Sequence, residues 1–244
     1  MLYRTTIVAA YLCMCWHPTE AFTTPTTTTA ALSRSSSSAS SSSSSSSTAR
    51  NLFFGDYLPL SIPFFVAKDK WDNARRTKLK EQILSLASET QRGLTATEAQ
   101  AEDMQHLFSQ LEQLNPTVNP LTNTNSNLNG DWSLDYTTSD SILGKGGPPR
   151  MGPIVQSIDT TTLSAKNSET LRVANLVNVP RSVTAELSPV NGKFTNVQFK
   201  KFMVGPVSFH APDSFRGSLD ITYLDDEVRL TRGDKGNIFV LTRM

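Results

Sequence analysis

The spacing of apolar residues changes near Gly130, and this change constrains the fold more than any other feature of the chain. Beyond it apolar residues recur at every second position, as at Trp132 and Tyr136, which is typical of strands with one buried face. Asn191-Gly192 has the composition of a hairpin turn. Similar runs occupy residues 171–179, 183–187, 197–199, 219–223, 228–230 and 238–241, with weaker ones at 154–159 and 162–166. About eight or nine short strands without intervening helices predict an antiparallel barrel or a sandwich, and a barrel leaves no sheet edge open.

Two helices are expected ahead of the strands, over residues 69–115. Apolar side chains there follow a period of 3.6 residues, Gly93 ends the first helix, and Asn115-Pro116 ends the second. Thr95 and Glu98 have the spacing of a capping box at the start of the second helix. The fold class is therefore mainly β with N-terminal helices (α+β), the helices covering a barrel built from residues 116–244.

The first 68 residues do not have the composition of a folded domain. Residues 1–21 combine Arg4 with a short apolar run, as in a signal peptide, and residues 22–55 are Ser/Thr-rich with no acidic residue, as in a transit peptide. Residues 56–68 form an apolar arm interrupted by prolines, which packs on the domain or touches a membrane interface. This order predicts delivery to a complex plastid, and the alternative is plain secretion with a serine-rich stalk.

Composition argues against several classes of function. The chain has 23 basic and 22 acidic residues, so it lacks the basic surface of nucleic-acid-binding proteins. Both cysteines, Cys13 and Cys15, lie in the predicted signal peptide, and His106 and His210 are far apart in sequence. We therefore expect no disulfide, no metal site and no cofactor.

Three strings resemble the plastid lipid-associated protein (PAP/fibrillin) family. They are GLTATEAQAEDMQHLFSQLEQLNPTVNPL at 93–121, NGDWSLDYTTSDSIL at 129–143 and YLDDEVRLTRGDKGNIFVL at 223–241, the last being the most specific. Residues 160–215 resemble the family only in their strand rhythm. The family's domain would span about residues 69–244.

The resemblance implies a lipocalin-like barrel in a plastid that binds or shields lipids or prenylquinones at a membrane or lipid-globule surface. It also implies a set of signature residues with structural roles, including a contact between the acidic pair and the arginines. These residues are Asp225, Asp226, Arg229, Arg232, Gly233, Asp234 and Gly236. Gly130-Asp131-Trp132 further resembles the entry strand of lipocalins, where the Trp closes one barrel end beneath an Arg, here Arg229 or Arg243.

Candidate lipid-binding side chains come from alternate strand positions and from one loop. The strand residues expected to line an apolar interior are Trp132, Tyr136, Val173, Phe199 and Tyr223. The loop at 203–217 carries Phe209 and Phe215 among prolines and glycines, and it either gates lipid entry or fills the barrel as a plug. The glycine-rich stretch at 144–152 lacks the ending of a phosphate loop and is expected to be a mouth loop.

Two other functions remain open. The helices at 69–92 and 95–114 could present a face for a plastid enzyme or photosynthetic complex, without lipid. Asp225 and Asp226 could act as an acid and a base, although a polar turn is the simpler interpretation and no nucleophile or metal set accompanies them.

Overall fold

The computed structural model describes residues 62–122 and 127–244, with side chains from residue 69 onward. The predicted signal peptide, the transit-like segment and the first part of the apolar arm lie outside the described residues. The remainder contains two long helices, a short helix and nine strands.

Helix α1 (Ile62–Glu89) begins earlier than the predicted two-helix segment. Pro63 lies in its first turn, where the missing amide hydrogen has no intrahelical acceptor to lose, so proline is tolerated there. The helix is followed by a turn in which Gln91, Arg92 and Gly93 all have positive φ. A Cβ at Gly93 would lie 2.5 Å from the carbonyl oxygen of Thr137, so only glycine fits this approach of the turn to the sheet.

Helix α2 (Glu98–Glu112) has a capping box that differs from the predicted one. Thr97 is the N-cap, its hydroxyl accepts from the amide of Gln100, and the Gln100 side chain accepts from the amide of Thr97. The expected pair of Thr95 and Glu98 is wrong because the Thr95 amide already donates to the Thr90 carbonyl in the preceding turn. Helix α3 (Asp140–Leu143) is a single turn after the first strand.

The nine strands form one closed antiparallel sheet. They are β1 (Gly130–Thr137), β2 (Arg150–Asp159), β3 (Ser164–Val173), β4 (Val177–Pro189), β5 (Phe194–Val204), β6 (Val207–His210), β7 (Arg216–Leu224), β8 (Val228–Gly233) and β9 (Ile238–Arg243). The order is β4-β3-β2-β1-β9-β8-β7-β5, and β5 also pairs with β4, which closes an eight-stranded barrel. Strand β6 extends the sheet beside the second half of β5. The predicted lipocalin-like barrel preceded by two helices is confirmed.

Three β-bulges change which side chains face the interior. The register of β1 slips at Asp135, that of β5 at Lys200 and that of β7 at Thr222. Each extra residue exchanges the inward-facing and outward-facing positions of the strand beyond it. In β1, Leu134 faces the interior, but Tyr136 faces the helices.

The two faces of the sheet carry two separate apolar clusters. One fills the barrel with residues from strands all around it, including Trp132, Leu134, Ile158, Leu187, Val197 and Ile221. The other lies between the outer face and the long helices, including Ile83, Met104, Phe108, Tyr136, Tyr223 and Leu230. Within the described part of the chain, no helix has both the length and the apolar character needed to cross a membrane.

Candidate functional site

One end of the barrel, here called the floor, is closed by Trp132. Its indole Nε1 donates to the carbonyl of Leu128 at 2.9 Å, and the side chain is fully buried. The guanidinium carbons of Arg229 and Arg243 lie 4.9 Å and 4.4 Å from the ring centroid. Both arginines proposed as partners of Trp132 therefore contact it, through a cation–π geometry that attracts each charge to the ring.

The two floor arginines differ in their surroundings. Arg243 donates to the backbone carbonyls of Asn127, Asn129 and Asp226. Arg229 points inward, is 1 % exposed, and donates through Nη2 to Gln156. Burial and, to a smaller extent, the charge on Arg243 together lower the pKa of Arg229 to about 9. Arg229 thus remains a cation at neutral pH inside the barrel.

Polar side chains extend from the floor across the interior. Gln156 on β2 donates to Asn167 on β3 at 2.9 Å. Glu169, also on β3, forms ion pairs with Arg150 and Arg181. These three charged side chains are each at most 9 % exposed. The expectation of a purely apolar interior is therefore wrong. The only sequence signal for this layer is the polar residues at alternate positions of β2 and β3.

At the opposite end, here called the mouth, an aromatic cluster surrounds Phe202. Phe209 stacks on it with centroids 5.4 Å apart, Phe215 meets it edge-on at 5.7 Å, and Phe199 lies at 6.4 Å. Val173 packs beside this cluster with Leu171, Val179, Val204 and Phe209. The aromatic rings of the 203–217 loop thus turn inward, as the plug interpretation expects.

Two of the predicted lining residues lie elsewhere. Tyr136 and Tyr223 pack against α1 and α2 on the outer face, because the bulges at Asp135 and Thr222 turn them away from the interior. The prediction that these tyrosines line the barrel is wrong. Trp132 and Phe199 pack with the interior cluster, and Val173, Phe209 and Phe215 lie at its mouth.

A cleft of about 870 Å³ lies on the outside near the mouth, between α1 and the glycine-rich loop. Asp135, the extra residue of the first bulge, is half-buried there and accepts from the hydroxyl of Thr242 at 2.6 Å. Burial raises the pKa of Asp135, and the hydrogen bond from Thr242 and the charge of Arg92 oppose that rise. Alternation in sequence gave no sign of this carboxylate, because it depends on the bulge.

No cluster of three or more metal-ligating side chains occurs among residues that the structure describes. His106 lies on the exposed side of α2, where the side chain of Gln110 approaches its ring.

Residues 77–242, about two thirds of the chain, match the family model PAP_fibrillin. The chain belongs to the PAP_fibrillin family. It is 35% identical over 174 residues to the probable plastid-lipid-associated protein 5, chloroplastic, of Arabidopsis thaliana, covering 70% of each chain. It is 28% identical over 218 residues to the light-induced protein, chloroplastic, of Solanum tuberosum, covering 68% of this chain and 67% of the relative.

A third relative of this fibrillin is the chromoplast-specific carotenoid-associated protein C2 of an Oncidium hybrid cultivar. It is 25% identical over 264 residues, covering 75% of this chain and 82% of the relative. No solved structure matches the chain significantly. The relatives confirm the predicted plastid location of this fibrillin, while the two-part presequence remains a prediction on residues that the structure does not describe.

The fibrillin signature residues divide between the two faces of the barrel. Arg229 lies inside on Trp132, whereas Arg232 lies outside, bonded through Nε and Nη2 to Glu112 at 2.7 Å each and 4.9 Å from the ring of Phe108. Arg232 therefore fastens α2 to the sheet.

The acidic pair of the signature has a different role from the one expected. Asp225 accepts from the amides of Glu227 and Val228, from the hydroxyl of Tyr223 at 2.6 Å and from Lys80 at 2.9 Å. The expected contact between the acidic pair and Arg229 or Arg232 is wrong. Asp225 pairs with Lys80 instead, and Arg232 pairs with Glu112. Asp226 is exposed and accepts from Asn127.

Gly233, Asp234 and Gly236 form the tight connection between β8 and β9. Asp234–Gly236 is a single 3₁₀ turn, and a Cβ at Gly233 would lie 2.8 Å from the Phe239 ring.

Replacing Asp225 with Asn should destabilise this fibrillin in a pH-dependent way. Burial alone would raise the pKa of Asp225, but the hydrogen bonds from Tyr223, the Val228 amide and Lys80 outweigh it, so the pKa is lowered. Because the folded state has the lower pKa, the Asp225 carboxylate contributes its full stabilisation above the unfolded-state pKa of ~4. This stabilisation is lost as the pH falls below that value. We expect D225N to lower the free energy of unfolding by about 1–3 kcal/mol at pH 7. The side-chain NH2 group of the variant would face two hydrogen-bond donors, Lys80 and the Tyr223 hydroxyl.

Urea unfolding at pH 7 and at pH 3 measures this effect. The difference between wild type and D225N should shrink at pH 3, because the carboxylate of the unfolded chain is largely protonated there and the stabilisation that comes from the lowered pKa is being lost. Asp226→Asn is the matched control, since Asp226 is exposed, and should change stability by less than about 0.5 kcal/mol. An equal loss in both variants would contradict the role given to Asp225.

Proposed function

We propose that this fibrillin is a non-catalytic barrel that binds or shields lipids or prenylquinones at thylakoids or plastid lipid globules. The observation that carries the proposal is the coincidence of two apolar features at the mouth. The aromatic cluster around Phe202 lies just inside, and the strand tips around it expose Leu176 (82 %) and Val177 (59 %). Met203 and Val207 are also exposed there.

Such surfaces suit a lipid partner better than water. Exposed apolar side chains gathered at one end commonly mark a ligand or membrane contact, and burying one large apolar side chain contributes about 1.5–3 kcal/mol. The names of the Arabidopsis and Oncidium relatives, which refer to plastid lipid and to carotenoid association, support the same class of partner.

A non-catalytic role is consistent with the acidic pair. Every carboxylate oxygen of Asp225 accepts a hydrogen bond within the domain, and its lowered pKa makes it a poor general acid at neutral pH. Asp226 lies on an exposed turn. Turnover of any lipid ester that disappears in Asp226→Asn would contradict this part of the proposal.

Replacing both Phe209 and Phe215 with Ser should weaken lipid binding by about ten-fold or more, since each ring offers apolar surface at the mouth. The measurements are liposome flotation and mass spectrometry of lipids extracted from the purified full chain. Because both rings also pack on Phe202, the pair Leu176→Ser and Val177→Ser provides a second test on exposed residues that leaves the core intact.

Val190→Ser is the control for the mouth variants. Val190 is 61 % exposed, but it lies on the hairpin at the floor end. The Val190→Ser variant should bind liposomes as the wild type does. If folded mouth variants bind as well as Val190→Ser, the mouth takes no part in lipid contact.

The second candidate is a protein-docking module, favoured by the exposed side chain of Trp71 on α1 (77 %). Exposed Trp residues are frequent anchors of protein interfaces. Under this alternative, Trp71→Ala would abolish co-purification with a plastid protein, and the wild type would carry no extractable lipid. Loss of lipid binding in the mouth variants would favour the first candidate.

A further inference from the structure

The cleft between α1 and the glycine-rich loop at 144–152 has the size and lining of a site for a small molecule or a head group. Its volume of about 870 Å³ falls within the ~300–1,000 Å³ typical of ligand sites. Leu84, Leu94 and Ile154 are among its apolar lining residues, and Asp135 contributes a half-buried carboxylate. Apolar walls around a few convergent polar groups are the usual composition of such sites.

Asp135 lies in the cleft because of the bulge in β1, and bulges commonly redirect a side chain beside a functional site. Thr242, through its hydroxyl and its amide, and Ser133, through its hydroxyl, donate hydrogen bonds to the carboxylate. A carboxylate accepts about four such bonds, so one donor from a ligand can be added. Burial raises the pKa of Asp135 despite the existing bonds, and a further donor would stabilise the ionised form.

Arg92 forms the other polar wall of the cleft. Its φ of +66° costs free energy in a residue with a side chain, and such conformations are concentrated at functional sites. The turn is held there because the Arg92 carbonyl accepts from the amide of Thr137 at 3.1 Å. The guanidinium donates through Nη2 to the carbonyl of Gly152, and its charge acts on Asp135. Arg92 therefore links the end of α1 to the loop and supplies a cation beside the carboxylate.

The loop leaves space at its tip. Gly146 and Gly147 are among the lining residues, and Gly146 has a φ of +77°. A Cβ built at Gly146 would meet no described atom within 4 Å. Glycine at this point therefore allows a ligand to approach the loop backbone closely.

The charges of the cleft favour an uncharged ligand. Among the described residues four charged side chains line it, and two of them, Lys145 and Arg150, have carboxylate partners of their own. The other two are Arg92 and Asp135, whose charges are opposite. An anion would be repelled by Asp135 and a cation by Arg92. A hydroxyl group can donate to the carboxylate and accept from the guanidinium.

We propose that this cleft binds the uncharged, hydroxyl-bearing head group of a lipid, of the kind in which a sugar is attached to diacylglycerol. Asp135 accepts from one hydroxyl of the head group, and Arg92 donates to another. The inference rests on the proposed contact of the mouth with a lipid surface and names the head group that this surface presents.

The position of the cleft agrees with that contact. Arg150, which lines the cleft, pairs in the sheet with Leu171 of the apolar cluster at the mouth. The next residue, Met151, is an exposed apolar side chain. A lipid whose chains lie at the mouth can therefore place its head group in the cleft. A soluble sugar has the same head-group chemistry, so the test must separate the two sources.

Flotation of the full chain with three kinds of vesicle tests the proposal. The vesicles are phosphatidylcholine alone, or phosphatidylcholine mixed in equal parts with digalactosyldiacylglycerol or with phosphatidylglycerol. The chain should bind the glycolipid vesicles at least ~10-fold more tightly than phosphatidylcholine alone, since hydrogen bonds to charged groups contribute that much or more. In Asp135→Asn this ratio should fall to about one. Asp131→Asn, the same change at an exposed position at the other end of β1, should keep it.

A steric block covers the case in which Asp135→Asn does not fold. Ser88 is exposed on α1 and lines the cleft, whereas Ser85 is exposed on the same helix and does not line it. Ser88→Trp should therefore remove the preference for glycolipid vesicles, and Ser85→Trp, which adds the same apolar surface, should keep it. A preference retained in Ser88→Trp would overturn the site.

The remaining outcomes separate this inference from the proposed function. Equal binding of the wild type to glycolipid and phosphatidylcholine vesicles would remove the head-group site while leaving the lipid contact of the mouth in place. Phosphatidylglycerol vesicles bound as tightly as glycolipid vesicles would overturn the uncharged class. Competition by free digalactosylglycerol at the concentration of the glycolipid itself would mean a site for soluble sugars. If no vesicle binds, both this inference and the proposed function fail.

Discussion

Trp132→Ala should lower the free energy of unfolding by about 3–5 kcal/mol, the range for removing a buried aromatic side chain. The side chain is fully buried, and its indole makes a hydrogen bond and lies against two guanidinium groups. Loss of the Trp132 side chain leaves a cavity at the floor and removes the aromatic ring that Arg229 contacts. Thermal unfolding should occur roughly 6–20 °C lower in a domain of this size.

Trp71→Ala is the matched control, because it removes the same side chain from an exposed position on α1 (77 % exposed). Its stability should stay within about 0.5 kcal/mol of the wild type. Urea unfolding followed by far-UV circular dichroism measures both variants. A Trp132 variant that unfolds together with the control would show that the floor does not depend on this residue.

Phe108→Ala should cost about 3–5 kcal/mol by emptying the layer between α2 and the barrel. Phe108 is fully buried among Ile83, Tyr223 and Leu230, and the guanidinium of Arg232 lies over its ring. Phe108→Leu keeps much of the volume and should lose clearly less. Urea unfolding at neutral pH compares the three proteins.

A double-mutant cycle tests the contact between Phe108 and Arg232 directly. Arg232→Met removes the cation and its bonds to Glu112 while keeping an apolar stem. The two substitutions should be non-additive by about 0.5–3 kcal/mol, as expected for residues in contact. Strict additivity would contradict an energetic contribution from the contact between the Arg232 guanidinium and the Phe108 ring.

Much of the architecture follows from local patterns. Alternation from Gly130 onward predicts the strands, and Asn191-Gly192 predicts the β4–β5 hairpin, where the Asn191 side chain accepts from the amides of Lys193 and Phe194. Turn chemistry acts over a few residues, so the sequence alone is sufficient to locate it. The contact of Trp132 with an arginine joins distant parts of the chain, and the sequence indicated it only through the resemblance of Gly130-Asp131-Trp132 to the lipocalin entry strand.

Local patterns fail where two elements compete for the same groups. Thr95-Glu98 and Thr97-Gln100 both have capping-box spacing, and the choice between them depends on the turn that α1 makes against the Thr137 strand end. Likewise the start of α1 at Ile62 depends on whether Pro63 falls in a first turn or in a helix interior.

The sequence by itself determined the strand-rich second half, the two covering helices and the family, because each rests on periodicity or on short contiguous strings. It did not fix the strand ends: the single run expected at 171–179 is the end of β3, a turn and the start of β4, and β6 lies in the segment expected to be a loop. Only the tertiary structure decided which side chains line the barrel. One inserted residue at Asp135 or Thr222 turns Tyr136 and Tyr223 outward, since a strand alternates with a period of two and a single-residue shift exchanges its faces. The buried charge of Arg229 likewise became visible only when closure of the barrel placed it opposite Gln156.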